Sequence, residues 1–157
     1  MKQSQALTVM MRGKSVFLTG APGAGKSYIL HKFVQIAGRS GKRVAVTART
    51  GIAATHIGGM TIHAWSGLGV REVLSAHDLD VFSARDRLVK RFLSTDVLVI
   101  DEVSMLSGRF LDMLNAVAKR LRDNQEPFGG LQVILVGDMF QLPPVNRGNT
   151  AIDFAHE

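Results

Sequence analysis

The sequence predicts an α/β fold, a mainly parallel sheet with helices on both faces, and three observations predict it. Four short apolar runs, at residues 15–19, 43–47, 97–100 and 132–136, are rich in β-branched side chains and do not alternate cleanly with polar ones. That is the pattern of strands covered on both faces. Between these runs, apolar residues recur three and four positions apart: Ile29, Leu30, Phe33, Val34 and Ala37, then Phe110, Leu111, Leu114, Val117, Ala118 and Leu121. Each set makes one stripe of a helix. The resulting β-α-β-α alternation places any ligand at the carboxyl ends of the strands.

Residues 66–95 break this rhythm. Stretches 71–74 and 84–93 read as helical with no strand between them, so the segment reads as a small insertion in one domain spanning 1–157. Residues 94–96 close it, and Gln125-Glu126-Pro127-Phe128-Gly129-Gly130 connects to the fourth strand. A chain of 157 residues, 46% hydrophobic, has material for one core and too little length for two. No apolar run approaches the roughly 20 residues that span a bilayer, so no membrane partner is expected. The amino terminus lacks an apolar signal region, which points to an intracellular protein. Without cysteine, disulfide frameworks and thiolate metal sites are excluded. A formal charge of +6 favours a polyanionic partner or substrate.

The first strand runs into Gly20-Ala21-Pro22-Gly23-Ala24-Gly25-Lys26-Ser27, which fits G-x-x-x-x-G-K-[ST] between a strand and a helix. Glycines Gly20, Gly23 and Gly25, with Ala24, let the backbone wrap a phosphate with N–H groups pointing inward, and the helix start adds its positive end. Lys26 then reaches the β- and γ-phosphates, and the Ser27 hydroxyl is placed for Mg2+. The third strand ends in Asp101-Glu102. Beside a phosphate loop, Asp101 holds Mg2+, commonly through water, and Glu102 orients or deprotonates the attacking water. After the fourth strand, Gly137-Asp138-Met139-Phe140-Gln141 offers Gln141 as a sensor of the γ-phosphate, with Pro143-Pro144 stiffening the chain that leads outward from it. Each element has a structural reading too: a helix-capping Gly-rich turn, Asp101 as an N-cap with Glu102 solvated, and a Gly-Asp turn before a proline brake. Together the three describe a P-loop NTPase that binds ATP with Mg2+.

Together the three elements resemble the superfamily 1 DNA helicases, specifically the Pif-one-like (petite integration frequency) group. Besides GAPGAGKS, the resemblance rests on TARTGIAATHIGGMTIHAWSGLG at 47–69, VLVIDEVSML at 97–106 and PFGGLQVILVGDMFQLPPV at 127–145, and it covers nearly the whole chain. It implies a RecA-like domain whose ATPase cycle drives movement on single-stranded DNA and opening of a forked duplex. Gln3, seventeen residues before Gly20, falls where these helicases place an adenine-reading glutamine. Thr50-Gly51 and Thr61-Ile62-His63 match segments that line the single-stranded DNA path, where hydroxyls, amides and a His ring hold phosphates or stack on bases.

The resemblance also places the family's small second subdomain at 66–95, whose Arg71, Arg85, Arg87, Lys90 and Arg91 could touch DNA backbone. Related helicases close the nucleotide between two RecA-like domains, the second supplying arginines for the transition state. No such domain follows Gln141 before Glu157, so the chain by itself is expected to bind ATP, hydrolyse it weakly and unwind nothing. Two other readings stay open: a nucleotide-binding adaptor without motor activity, and a small-molecule phosphotransferase using the same loop.

Overall fold

The structure is a computed structural model that describes residues 3–20, 25–56 and 58–138. Its centre is one sheet of five parallel strands in the order β1-β5-β4-β2-β3. Four of them, β1 (Val16–Thr19), β2 (Val44–Ala48), β4 (Val97–Asp101) and β5 (Gln132–Gly137), are the four apolar runs. The fifth, β3 (Met60–Thr61), is two residues long and pairs with the end of β2.

The lack of alternation in the strands follows from the two cores. From β4, Leu98 and Ile100 point to one face and Val97 and Val99 to the other; from β5, Val133 and Leu135 oppose Ile134 and Val136. All eight are buried. The first face is covered by α4 (Ile62–Ser66), α5 (Ala76–Ser83), α6 (Asp86–Leu93) and α7 (Gly108–Leu121), which bring in Trp65, Phe82, Phe92 and Leu114. The second is covered by α1 (Gln3–Met11) and α2 (Lys26–Arg39), through Met10, Ile29, Leu30, Phe33 and Ala37. Gln132 fastens α1 to the sheet: its side-chain N–H group donates to Met10 O at 2.7 Å and Lys14 O at 2.9 Å.

The segment at 66–95 differs from expectation in one respect. Residues 71–74 are not helical, and the helix begins instead at Ala76. The cause is a capping box: Ser75 Oγ accepts from Asp78 N while Asp78 Oδ2 accepts from Ser75 N, satisfying two otherwise unpaired donors. Arg71, outside the helix, reaches Asp78 at 2.8 Å and lies over the Phe82 ring at 5.0 Å. The helix expected over 84–93 starts two residues later, because Ala84 caps α5 and Arg85 caps α6.

The PFGG stretch is a packing device. Phe128, Gly129 and Gly130 are three successive left-handed residues, with φ of 53°, 62° and 84°. They drive the Phe128 ring into the core at 1% exposure. A β-carbon on Gly129 would collide with Ala118 O, so only glycine fits there. Arg122, just past α7, fixes the turn by donating to Gly129 O at 2.7 Å, and it also holds Phe92 O and Thr95 O at 2.6 and 2.9 Å.

Candidate nucleotide site and its neighbours

Register alone brings the predicted groups to one edge of the sheet. Thr19 stands opposite Gly137, Ile100 opposite Leu135, and Ala48 opposite Asp101. The residues at the strand ends, Gly20 after β1, Asp138 after β5, Asp101-Glu102 at β4 and Arg49-Thr50 after β2, therefore line the carboxyl edge in sheet order. Ligands of open parallel sheets sit along such an edge.

Gly25 is left-handed, with φ of 90°, and α2 starts at the next residue. The side chain of Gln3 lies against it: a β-carbon on Gly25 would collide with Gln3 Nε2. Gln3 and the phosphate loop are thus neighbours. Lys26 sits in the first turn of α2 and folds inward. Its Nζ donates to Gly20 O at 2.9 Å and Gly137 O at 3.3 Å, and forms an ion pair with Asp138 Oδ1. Ser27 lies beside it, exposed. Gly23, Ala24 and Gln141, with Pro143-Pro144, lie outside the described residues.

Asp101 is half-buried, and that burial holds its carboxyl above the ordinary carboxylate range. The Glu102 N–H, which donates to Asp101 Oδ1 at 2.8 Å, opposes the shift; the Glu102 charge adds to it, Lys26 opposes it and Asp138 adds to it. A carboxylate short of counter-charge suits a divalent cation. The donor set fits magnesium in particular. Among the described residues no cluster of three or more His, Cys, Asp or Glu could cage a metal. Magnesium commonly takes one or two protein oxygens, which Asp101 and Ser27 would offer, and fills its shell with phosphate and water.

Glu102 has a left-handed backbone, φ 57° and ψ 36°, unusual for a residue other than glycine. Its carboxylate turns toward β2: Oε1 accepts from Thr50 Oγ1 at 2.8 Å and Thr50 N at 3.1 Å. Thr50 Oγ1 also accepts from Ala53 N at 3.3 Å, at the start of α3 (Gly51–His56), and Gly51 is exposed. Thr61 caps α4, accepting from Ala64 N at 3.2 Å. His63 packs against Phe110 with ring centroids 4.6 Å apart. It lines a cleft of about 430 Å³ with Arg49, Arg71 and Arg109. Burial, with the positive charge of Arg49 second, holds His63 below its ordinary value, so its ring is neutral at pH 7.

Of the basic residues at 66–95, Arg71 is committed to Asp78 and Phe82, and Arg85 lies over Phe82 at 5.0 Å. Arg91 donates to Trp65 O at 2.7 Å. Arg87 is exposed and Lys90 is exposed too. Sequence reasoning passed over Asp138 and Arg49. Asp138 had a signal, an acid at a strand end level with the phosphate loop; Arg49 had none beyond its place before Thr50.

Residues 2–155 match the family model for PIF1-like helicases. The chain is 48% identical over 154 residues to the ATP-dependent DNA helicase Pif1 of a Psychrobacter species, covering 98% of this chain and 23% of that protein. The crystal structure of Pif1 helicase from Candida albicans superimposes with a TM-score of 0.82 at 40% identity, over 92% of this chain and 33% of that one. A Bacteroides Pif1 crystallised with ADP-AlF3 and single-stranded DNA gives a TM-score of 0.71 at 33% identity, over 94% of this chain and 35% of that one. The chain thus spans about a quarter to a third of the length of these relatives. With a parallel α/β sheet, a phosphate loop at the end of β1 and a family match over nearly its whole length, the chain belongs to the PIF1-like helicase family.

Proposed function

We propose that the chain is the ATP-binding motor domain of an ATP-dependent DNA helicase, coupling ATP hydrolysis to translocation on single-stranded DNA and unwinding of forked duplex. The observation that carries this reading is the convergence of Lys26, Asp101 and Asp138 at the ends of three adjacent parallel strands, β1, β5 and β4.

In this reading Gln3 hydrogen-bonds the purine edge. The loop from Gly20 through Gly23, Ala24 and Gly25 wraps the phosphates with its N–H groups. Lys26 leaves Asp138 for the β- and γ-phosphates. Ser27 and Asp101 would hold Mg2+, which would supply positive charge to neutralise the phosphate oxygens. Glu102 accepts a proton from water as the water oxygen bonds to the γ-phosphorus; the bond from phosphorus to the bridging oxygen breaks, releasing ADP and phosphate. Gln141 senses the γ-phosphate. Thr50, Gly51, Thr61 and His63 hold the DNA strand with no reading of sequence. A second RecA-like domain supplies the arginines that complete the transition state.

ATP turnover and fork unwinding by the full-length protein, with Lys26→Ala beside it, test the reading. Turnover stimulated by single-stranded DNA and lost in Lys26→Ala is the expected result. A Lys26→Ala protein that still binds and hydrolyses ATP normally would overturn it.

A further inference from the structure

The hydrogen bonds between Thr50 and Glu102 place the general base on the wrong side of its own strand. Sheet order puts β4 between β5 and β2. Lys26 is held on the β1 and β5 side, by Gly20 O, Gly137 O and Asp138. The Glu102 carboxylate points to the opposite side, where two donors of Thr50 converge on one oxygen at 2.8 and 3.1 Å. A carboxylate oxygen committed to two hydrogen bonds is occupied by them, and here it is also turned from the group that marks the γ-phosphate.

The backbone does not need to move for this to change. Glu102 is anchored by its N–H on Asp101 Oδ1 and by its carbonyl, which accepts from Met105 N at 3.0 Å. Thr50 is anchored by the extension of the β2–β4 ladder, in which Arg49 N donates to Asp101 O at 3.2 Å. Between two fixed backbones, only the Glu102 side chain has to rotate.

We propose that Thr50 is a latch that parks Glu102 until DNA binds. This rests on the reading above, in which Glu102 activates water and Thr50 meets the strand. A DNA phosphate is an acceptor of the same kind as a carboxylate, so it competes for the same Thr50 O–H and N–H. Once they turn to the phosphate, Glu102 is released toward the nucleotide. Thr50 is thus a positioning residue, and DNA stimulates turnover by occupying it.

The test uses the full-length protein and four variants. Thr50→Val keeps the shape and removes the hydroxyl; Thr50→Asp keeps an acceptor for the α3 cap and removes the donor. Both are expected to raise kcat without DNA by roughly ten- to a hundredfold, the worth of one hydrogen bond to a charged group, with KM for ATP unchanged. Thr50→Ser restores the hydroxyl and the low DNA-free rate. Glu102→Gln abolishes turnover with and without DNA. If Glu102→Gln is dead but neither Thr50→Val nor Thr50→Asp raises the DNA-free kcat, the latch is wrong and the base assignment stands. If Glu102→Gln turns over normally, the assignment of the base fails and the latch falls with it.

Discussion

Lys26 has a partner before any nucleotide arrives. Its ion pair with Asp138 is partly exposed, with side-chain accessibilities of 15% and 27%, and phosphate must displace the carboxylate to gain the amine. Asp138→Asn removes that competition and one negative charge beside the phosphates. A part-exposed pair is worth about 1 kcal/mol, so ATP should bind about fivefold more tightly, as a titration with a fluorescent ATP analogue would measure. His63 has the opposite kind of linkage. Its folded-state value is depressed, so the stability that the neutral ring confers is complete above the unfolded value of about 6.5 and is lost as pH falls below it. Urea midpoints at pH 7.5 and 5.5 should therefore differ more for the unsubstituted protein than for His63→Gln. At this scale the sequence marked Lys26, Ser27, Asp101 and Glu102 as candidates because motif spacing is local. The partners of Lys26 and Glu102 were not legible: Asp138 and Thr50 lie 112 and 52 positions away, and only strand register brings them near.

Helices and strands were legible where burial is symmetric or periodic. The runs that became β1, β2, β4 and β5 could be read because both faces of the sheet are covered, and α2 and α7 because each presents one apolar stripe. β3 escaped notice because two residues carry no pattern, and α1 because its buried contacts reduce to Ala6 and Met10. Residues 71–74 misled for a different reason: local helix propensity there is overruled by the Ser75 and Asp78 capping box one step later. That box can be tested on its own, since Ser75→Ala should cost about 1 kcal/mol of stability to urea. The PFGG turn should be far less forgiving. Gly129→Ala forces a β-carbon into the Ala118 carbonyl at a left-handed residue, and a loss of about 3 kcal/mol is expected in the same assay.

The whole molecule divides chemistry from its completion. The chain covers 23% of its Psychrobacter relative, and in the proposed mechanism the transition-state arginines come from a second domain. Residues 1–157 alone should therefore bind ATP yet turn it over about a thousandfold more slowly than a protein that also carries the second domain. Steady-state phosphate release from the two proteins side by side would check this. The family was legible from motif order across the chain, whereas the hydrogen bonds that join Thr50 to Glu102 across two strands needed three dimensions.

The strand order has a further consequence, for how the protein is made. Among the described residues β1 is hydrogen-bonded only to β5, Val16 facing Ile134, so the strand that carries the phosphate loop emerges before the other described strands and waits for the latest of them to find its neighbour. Until residue 137 has cleared the ribosome, β1 lacks its ladder and Lys26 lacks both Gly137 and Asp138. Parallel pairing across so long a separation is slow to form. A nascent chain stalled before β5 should have no ATP pocket, and the ability to hold nucleotide should arrive abruptly, as β5 slots between β1 and β4.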